Sequence, residues 1–391
     1  MRYIYFLINS LLLFFTFQKY LIIHAREPLA ALWDIDDDDD EILSFIKYEQ
    51  YLTLVDRTLK PLLDDTSFGG SYIDMKKNCV YVNTIDQSKI PEIKSRPEIK
   101  DYLNSINFIQ ADKSLDYLKN SFNEITNLAK QALDELSGII FCINPKVNNV
   151  AVYIHNDTPP AQKFVRAISR YDPYIVISHS LSTKRDLVKR DLVKRDISIK
   201  ILSGESITIR DKPKNHSCSA GFWAKSKKGD QRFLVSAGHC YGEFNGRRSK
   251  PKVTYAFMLI GKLSFSIWTA PYDFSLIDTK RMDARLKPST SIKNEFSQRY
   301  PVSCGYVEAF NGAFINELGE LYTGVTITNM LSDSGDSGSP AFSFSDLRSV
   351  TLNGIIVIRV KAQDQYGNQR TVMLPLQMIL DKANIELITR F

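Results

Sequence analysis

The chain has 391 residues, 44% of them hydrophobic and 24% charged. That balance excludes a disordered or fibrous polymer and predicts a globular protein large enough for two or three domains. Net charge is +6, unevenly spread: residues 196–391 carry 25 Lys or Arg against 18 Asp or Glu, while residues 1–195 carry 25 against 26. The cations of the back half are scattered and no nucleic-acid-binding motif accompanies them, so no nucleic acid partner is expected.

Met1-Arg2 opens a short basic region, and Tyr3–Phe17 is an apolar stretch, followed by a polar break and LIIHA. The pattern predicts a removed signal peptide over residues 1–25 and a secreted, extracellular protein. Tyr3–Phe17 is shorter than the roughly 20 residues a membrane span needs, so a stable membrane anchor is not expected. Two N-x-S/T sequons, at Asn156 and Asn215, are candidate glycosylation sites in that compartment.

Residues 26–195 read as a unit of their own. An acidic run at 34–41 is expected to be solvated and disordered, because consecutive carboxylates repel. SYIDMKKNCVYVNT (Ser71–Thr84) and FCINPKVNNVAVYIHND (Phe141–Asp157) share one pattern of strand, polar turn and alternating strand. In it Asp74 matches Asn144, Asn78 matches Asn148, and Val80 and Val82 match Val150 and Val152. Between them Leu115, Leu118, Phe122, Ile125, Ala129, Ala132 and Leu136 make the apolar stripe of a long helix, with Ser114 as N-cap and Gly138 as stop. The region from about 45 to 180 is expected to be a compact α+β domain with no catalytic cluster.

KRDLVKRDLVKRD, within the stretch 184–196, repeats a five-residue unit and holds three Lys-Arg pairs. It reads as an exposed basic linker whose dibasic pairs suit a processing protease. Beyond it, RFLVSA, KVTYAFMLIG, LSFSIW, DFSLID, GVTITNM, PAFSF and GIIVIRV are mostly alternating segments, the spacing of an antiparallel sandwich or barrel. Leu376, Ile379, Leu380 and Ala383 mark a short closing helix.

A serine hydroxyl becomes a nucleophile only with a base to take its proton, a carboxylate to orient that base and donors for the oxyanion. The back half holds two histidines. His216 lies inside the NHS sequon; His239 ends an apolar strand in LVSAGHC. Asp273, in APYDFSLID, is an acid entering a strand that otherwise reads as buried, where a charge needs a partner. Taken alone it also fits a turn-capping aspartate at a strand edge. In SDSGDSGSP (Ser332–Pro340), Ser337 is framed by Gly335 and Gly338, which permit a sharp turn with successive N–H groups facing one way.

SAGHC, YDFSLI and GDSGSP, in that order, resemble the chymotrypsin-like serine proteases. CSAGFWA (Cys218–Ala224), ILSGESI (Ile201–Ile207) and the two front hairpins narrow the resemblance to the alpha-lytic protease and streptogrisin branch with its large pro-region. The resemblance implies an all-β double β-barrel protease domain over 196–391 with a short C-terminal helix, preceded by an α+β pro-domain over 26–195. It implies His239 as general base, Asp273 as its orienting carboxylate, Ser337 as nucleophile, and the backbone N–H groups of Gly335 and Ser337 as oxyanion hole. It implies a Cys218–Cys240 disulfide, and a pro-region that assists folding of its own protease and inhibits it. The partners implied are protein or peptide substrates and the pro-region, for a monomeric enzyme with no metal and no cofactor. A catalytically inactive, protease-like binding protein is the alternative reading.

The sequence departs from the branch at several positions. Leu331 stands where the branch usually has a cysteine, Cys304 matches half of a disulfide whose partner is missing, and Ser339 replaces the commonest glycine. The pocket wall, usually serine followed by glycines, reads VIRV, so Val357 and Arg359 join Leu331 as candidate pocket residues. Leu331 in place of aspartate argues against preference for Lys or Arg, and leaves a small, apolar or acidic residue before the cut bond open. Maturation after Arg190, Arg195 or Lys200 also stays open.

Overall fold

The computed structural model describes residues 28–177, 199–211, 214–241, 251–292, 302–360 and 369–391. The expected signal segment, the dibasic linker, Arg190 and Arg195 lie outside the described residues.

Residues 28–177 run α1 (Pro28–Trp33), α2 (Asp39–Leu59), β1 (Phe68–Asp74), β2 (Cys79–Thr84), α3 (Ile90–Lys94), β3 (Ile106–Gln110), α4 (Leu115–Gln131), β4 (Ile139–Asn144), β5 (Asn149–Ile154), α5 (Pro159–Ile168) and β6 (Tyr174–Ile177). The acidic run corrects the expectation of disorder. The Asp38 side chain accepts from Asp40 N and Glu41 N, and Asp39, Asp40 and Glu41 occupy the first turn of α2. Carboxylates that repel one another in a coil are favoured at a helix N-terminus, where unpaired N–H groups and the helix dipole present positive charge.

The two hairpins repeat as the sequence implies. Asp74 and Asn144 accept N–H groups of their turns, from Lys77 and Lys146, and Asn78 and Asn148 close them with φ of 53° and 45°. Helix α4 starts at the Ser114 cap, whose hydroxyl accepts from Tyr117 N at 3.2 Å. It ends at Gln131, short of the expected stop at Gly138 (φ +65°).

The back half runs β7 (Ile199–Ser203), β8 (Ser206–Asp211), β9 (Lys214–Ser219), β10 (Trp223–Ser226), β11 (Arg232–Ser236), β12 (Lys252–Tyr255), β13 (Met258–Thr269), β14 (Tyr272–Asp278), β15 (Leu286–Ile292), β16 (Val307–Ile315), β17 (Leu321–Thr328), β18 (Pro340–Phe344), β19 (Val350–Val360), β20 (Arg370–Pro375), α6 (Leu376–Ala383) and β21 (Ile385–Leu387). The structure is mostly β-sheet. One eight-stranded sheet has the order β21-β10-β11-β14-β13-β12-β8-β9, a second β18-β19-β20-β17-β16-β4-β5-β6. Barrel closure, expected of both halves of a protease domain, is not present among the described residues: the first sheet ends on β21 and β9, and in the second the edge of β16 is taken by β4.

That pairing joins the front unit to the back half. Ala313, Phe314 and Ile315 of β16 lie opposite Phe141, Ile140 and Ile139 of β4, antiparallel. Side chains alternate across the shared sheet, as the two-residue period of a strand requires. Ile139, Phe141, Val150, Val152, Ile154, Ala313 and Ile315 face α4 and α5. Ile140, Cys142, Ala151, Tyr153 and Phe314 face Phe222, Val235, Phe274 and Ile355 of the back half. Residues 139–154 therefore share a core with the sheets behind them. The first lobe of the front unit, around β1–β3, has a separate core against which Cys304, Tyr306, Phe344 and Leu347 pack.

Candidate active site

Three connections between strands converge on one place. The strand β11 leads through Ala237-Gly238 into a helical turn, His239–Tyr241. The ring Nδ1 of His239 lies 2.8 Å from Asp273 Oδ2, at the start of β14. The other carboxylate oxygen, Oδ1, accepts the backbone N–H groups of Gly238 at 2.7 Å and His239 at 2.9 Å. Asp273 is 3% exposed, so its charge is held by three donors rather than by water. Asp273 therefore both caps the turn that carries His239 and bonds its ring.

Burial of His239 opposes the charged ring, but the Asp273 charge and hydrogen bond, with a smaller push from Glu317, outweigh it and raise its pKa. Glu317 is an exposed residue of the β16–β17 turn.

The segment Ser332–Ser339 packs against this turn. Gly335 and Gly338 have φ of +102° and +87°, a backbone open to glycine and strained for other residues. A Cβ on Gly338 would sit 2.4 Å from Ser236 Oγ, 2.7 Å from Ser219 O and 2.8 Å from Ala237 N, so only glycine fits between these strands. Ser219 binds the same segment twice: its N–H donates to Ser337 O at 2.9 Å and its hydroxyl to Gly335 O at 2.8 Å. Next to Ser219, Cys218 forms a disulfide with Cys240, the residue after His239. A path of contacts thus runs from Ser337 through Ser219, Cys218 and Cys240 to His239. Among the described residues the Ser337 hydroxyl has no hydrogen-bond partner, and the backbone N–H groups of Gly335 and Ser337 have none either.

Arg359 reaches from β19 to the residues ahead of Gly335. Its Nη1 donates to Ser332 O at 3.1 Å and pairs with Asp333, and Nη2 donates to Ser334 Oγ at 3.3 Å. Gln369 Nε2 donates to the same Ser332 O at 3.1 Å. Arg359 and residues 331–336 line one cleft. Leu331, in that cleft, is 60% exposed; Val357 is 3% exposed and sits in the core. Asp336 accepts Asp333 N at 2.7 Å, and burial raises its pKa. Asn156 and Asn215 are exposed, and Cys79, Cys142 and Cys304 are outside any disulfide among the described residues.

Ser219, Ser236, Gly238 and Glu317 were not singled out in the sequence. For Ser219 a signal existed in CSAG, directly after the cysteine; Glu317 is an ordinary turn residue whose proximity only the fold creates.

The sequence matches no protein-family model and no curated protein. Solved structures similar to part of the chain include Thermobifida fusca protease A, at 17% identity and TM-score 0.37, covering 49% of this chain and all of that one. A Nocardiopsis protease is 17% identical at TM-score 0.38, covering 48% of this chain and 98% of its own. A glutamic acid specific serine protease is 16% identical at TM-score 0.38, covering 48% of this chain and 100% of its own. No helix among the described residues is long and apolar enough to cross a membrane.

Proposed function

We propose that this chain is a secreted serine endopeptidase made as a preproprotein, with residues 1–25 as signal peptide, 26–195 as pro-region and 196–391 as a protease domain built on the two large β-sheets. The observation that carries the reading is the partly buried His239–Asp273 hydrogen bond set beside the Gly-framed Ser337 turn.

In this reading Ser337 Oγ attacks the scissile carbonyl carbon while His239 Nε2 takes its proton. Asp273, bonded to Nδ1, fixes the ring tautomer and stabilises the imidazolium. The unpaired N–H groups of Gly335 and Ser337 receive the developing oxyanion. Collapse expels the amine, which takes the proton from His239 and leaves an acyl-Ser337. Water, deprotonated by His239, then releases the acid and restores the hydroxyl. In the structure the hydroxyl and the imidazole are not yet hydrogen-bonded, a contact that commonly tightens only when substrate is bound.

Association of the pro-region with the protease domain is supported by the β4–β16 pairing, which adds the front unit's strands to an edge of the back half; inhibition rests on the resemblance. Foldase action rests on the resemblance, and glycosylation at Asn156 and Asn215 on the exposed sequons.

The test is Ser337→Ala in the full chain expressed by a secreting host, assayed on casein alongside fluorophosphonate labelling. Loss of both labelling and cleavage supports the reading. Cleavage at the parent's rate by the variant overturns it, and a parent that folds but neither labels nor cleaves favours the binding protein.

A further inference from the structure

The hairpin of β12 and β13 turns on two residues. Tyr255 pairs with Met258, so Ala256 and Phe257 alone make the loop, with φ of 46° and 67°. A two-residue loop with both φ angles positive is the type I′ turn, whose favoured occupants are Asn-Gly, Asp-Gly and Gly-Gly. A bulky aromatic residue is strained in that backbone. The fold gives the Phe257 side chain no packing in return. At 85% it is the most exposed large apolar side chain among the described residues.

The strands behind the tip carry a row of cations. Arg210 of β8 lies opposite Lys252 of β12, and Lys252 lies opposite Lys262 of β13. Ile207, Ile209 and Val253 belong to the core, so by the two-residue period Arg210 and Lys252 point outward, with Lys262 beside them. All three are exposed. Like charges directly opposite one another destabilise a sheet, and among the described residues no ion pair relieves these. Asp278, opposite Lys262 on β14, is engaged by Gln231 Nε2 and Lys280 N. The Arg210 guanidinium lies 5.9 Å from the Phe257 ring centre, so tip and row form one surface.

We propose that this surface docks on anionic lipid, with Phe257 entering the acyl boundary of a bilayer and Arg210, Lys252 and Lys262 meeting its head groups. The contact is peripheral and reversible, not a span, and it does not depend on chemistry at Ser337. The tip favours lipid over a polyanion in solution. A sulfated glycan would satisfy the cations but offer the phenyl ring no apolar phase, whereas a charged bilayer surface offers both.

The experiment sediments the full chain from a secreting host with vesicles of phosphatidylcholine, alone or mixed with an equal part of phosphatidylserine. Binding is expected on the mixed vesicles only, and it weakens as salt screens the row. Phe257→Ser lowers the partition coefficient at least about tenfold, the scale for withdrawing a phenyl ring from an apolar phase. Lys252→Gln or Lys262→Gln lowers it about fivefold, the scale for one cation near an anionic surface. Giving the turn its preferred pair, Ala256→Asn with Phe257→Gly, separates binding from folding: the thermal midpoint holds or rises while vesicle binding is lost. A parent that does not sediment with the mixed vesicles overturns the proposal, as does binding unchanged by Phe257→Ser. Retention on heparin without vesicle binding also overturns it, and assigns the row to a soluble polyanion.

Discussion

The backbone N–H of Ser219 donates to the carbonyl oxygen of Ser337 at 2.9 Å, one residue from the disulfide that ties Cys218 to the neighbour of His239. The disulfide therefore constrains two parts of the candidate site at once. Closing a loop of 22 residues is worth on the order of 3 kcal/mol. A Cys218→Ser, Cys240→Ser double variant is expected to lose about that much in guanidinium unfolding. Because Ser219 loses its anchor, labelling of Ser337 by a fluorophosphonate also slows. Unfolding with an unchanged midpoint, or labelling at the parent's rate, would contradict this account.

The two glycines that frame Ser337 are expected to differ in severity. At Gly335 an added Cβ meets nothing within 4 Å, so Gly335→Ala is opposed only by its φ of +102°, about 1–3 kcal/mol of strain. At Gly338 the same methyl collides with Ser219 O and Ala237 N, backbone atoms that move only if the strands move. Gly338→Ala is expected to lower the yield of folded protein sharply and Gly335→Ala mildly, both read by thermal unfolding. Equal effects would mean that backbone conformation alone governs the turn.

Much of the candidate site was legible before the fold was known, because its chemistry is written in short local motifs. His239, Asp273 and the Ser337 turn each carry their signal within a few residues, and so do the two hairpins with their Asn78 and Asn148 turns. The acidic run was misread because charge repulsion was weighed without the helix end that Asp38 caps. The β4–β16 pairing was invisible for a different reason. Alternation in Ile139–Asn144 predicts a strand with two apolar faces but says nothing about which edge it will meet far along the chain. Val357 was read from the same kind of local pattern as Arg359, and an unbroken pleat would put both on one face; the β-bulge between Ile356 and Ile358 breaks the alternation, so that Val357 sits in the core while Arg359 reaches residues 332–334.

The junction between the front unit and the back half contains a buried ion pair. Arg370 Nε lies 2.6 Å from Glu308 Oε2, with side chains 5% and 15% exposed, and Tyr153 of β5 donates its hydroxyl to the same oxygen at 3.2 Å. The guanidinium also lies 4.4 Å from the Tyr153 ring centre. Removing one member of such a pair strands the other charge, a loss of about 3–5 kcal/mol, whereas replacing both with apolar residues of similar size is often neutral. Arg370→Met alone is expected to destabilise the full chain strongly, and Arg370→Met with Glu308→Leu to recover most of the loss in urea unfolding. Additive losses in the double variant would show that the two residues act independently.

The raised pKa of His239 fixes the direction of two pH effects. Its proton is held more tightly in the folded chain, so the stability from the His239–Asp273 contact is full below the ordinary imidazole value of about 6.5. It is lost as pH rises through the raised folded value. Catalysis runs the other way, because a general base must be unprotonated. The acid limb of kcat/KM is therefore expected to have its midpoint above 6.5. Asp273→Asn removes the main cause and the tautomer lock together, and activity falls on the order of 10⁴-fold. Glu317→Gln removes only an exposed charge, so the plateau rate stays and the midpoint moves down. That shift shrinks in high salt, where an exposed charge is screened. A midpoint at or below 6.5 in the parent would mean that burial outweighs the neighbouring carboxylates, and one indifferent to Glu317 at low ionic strength would mean that Asp273 alone raises it.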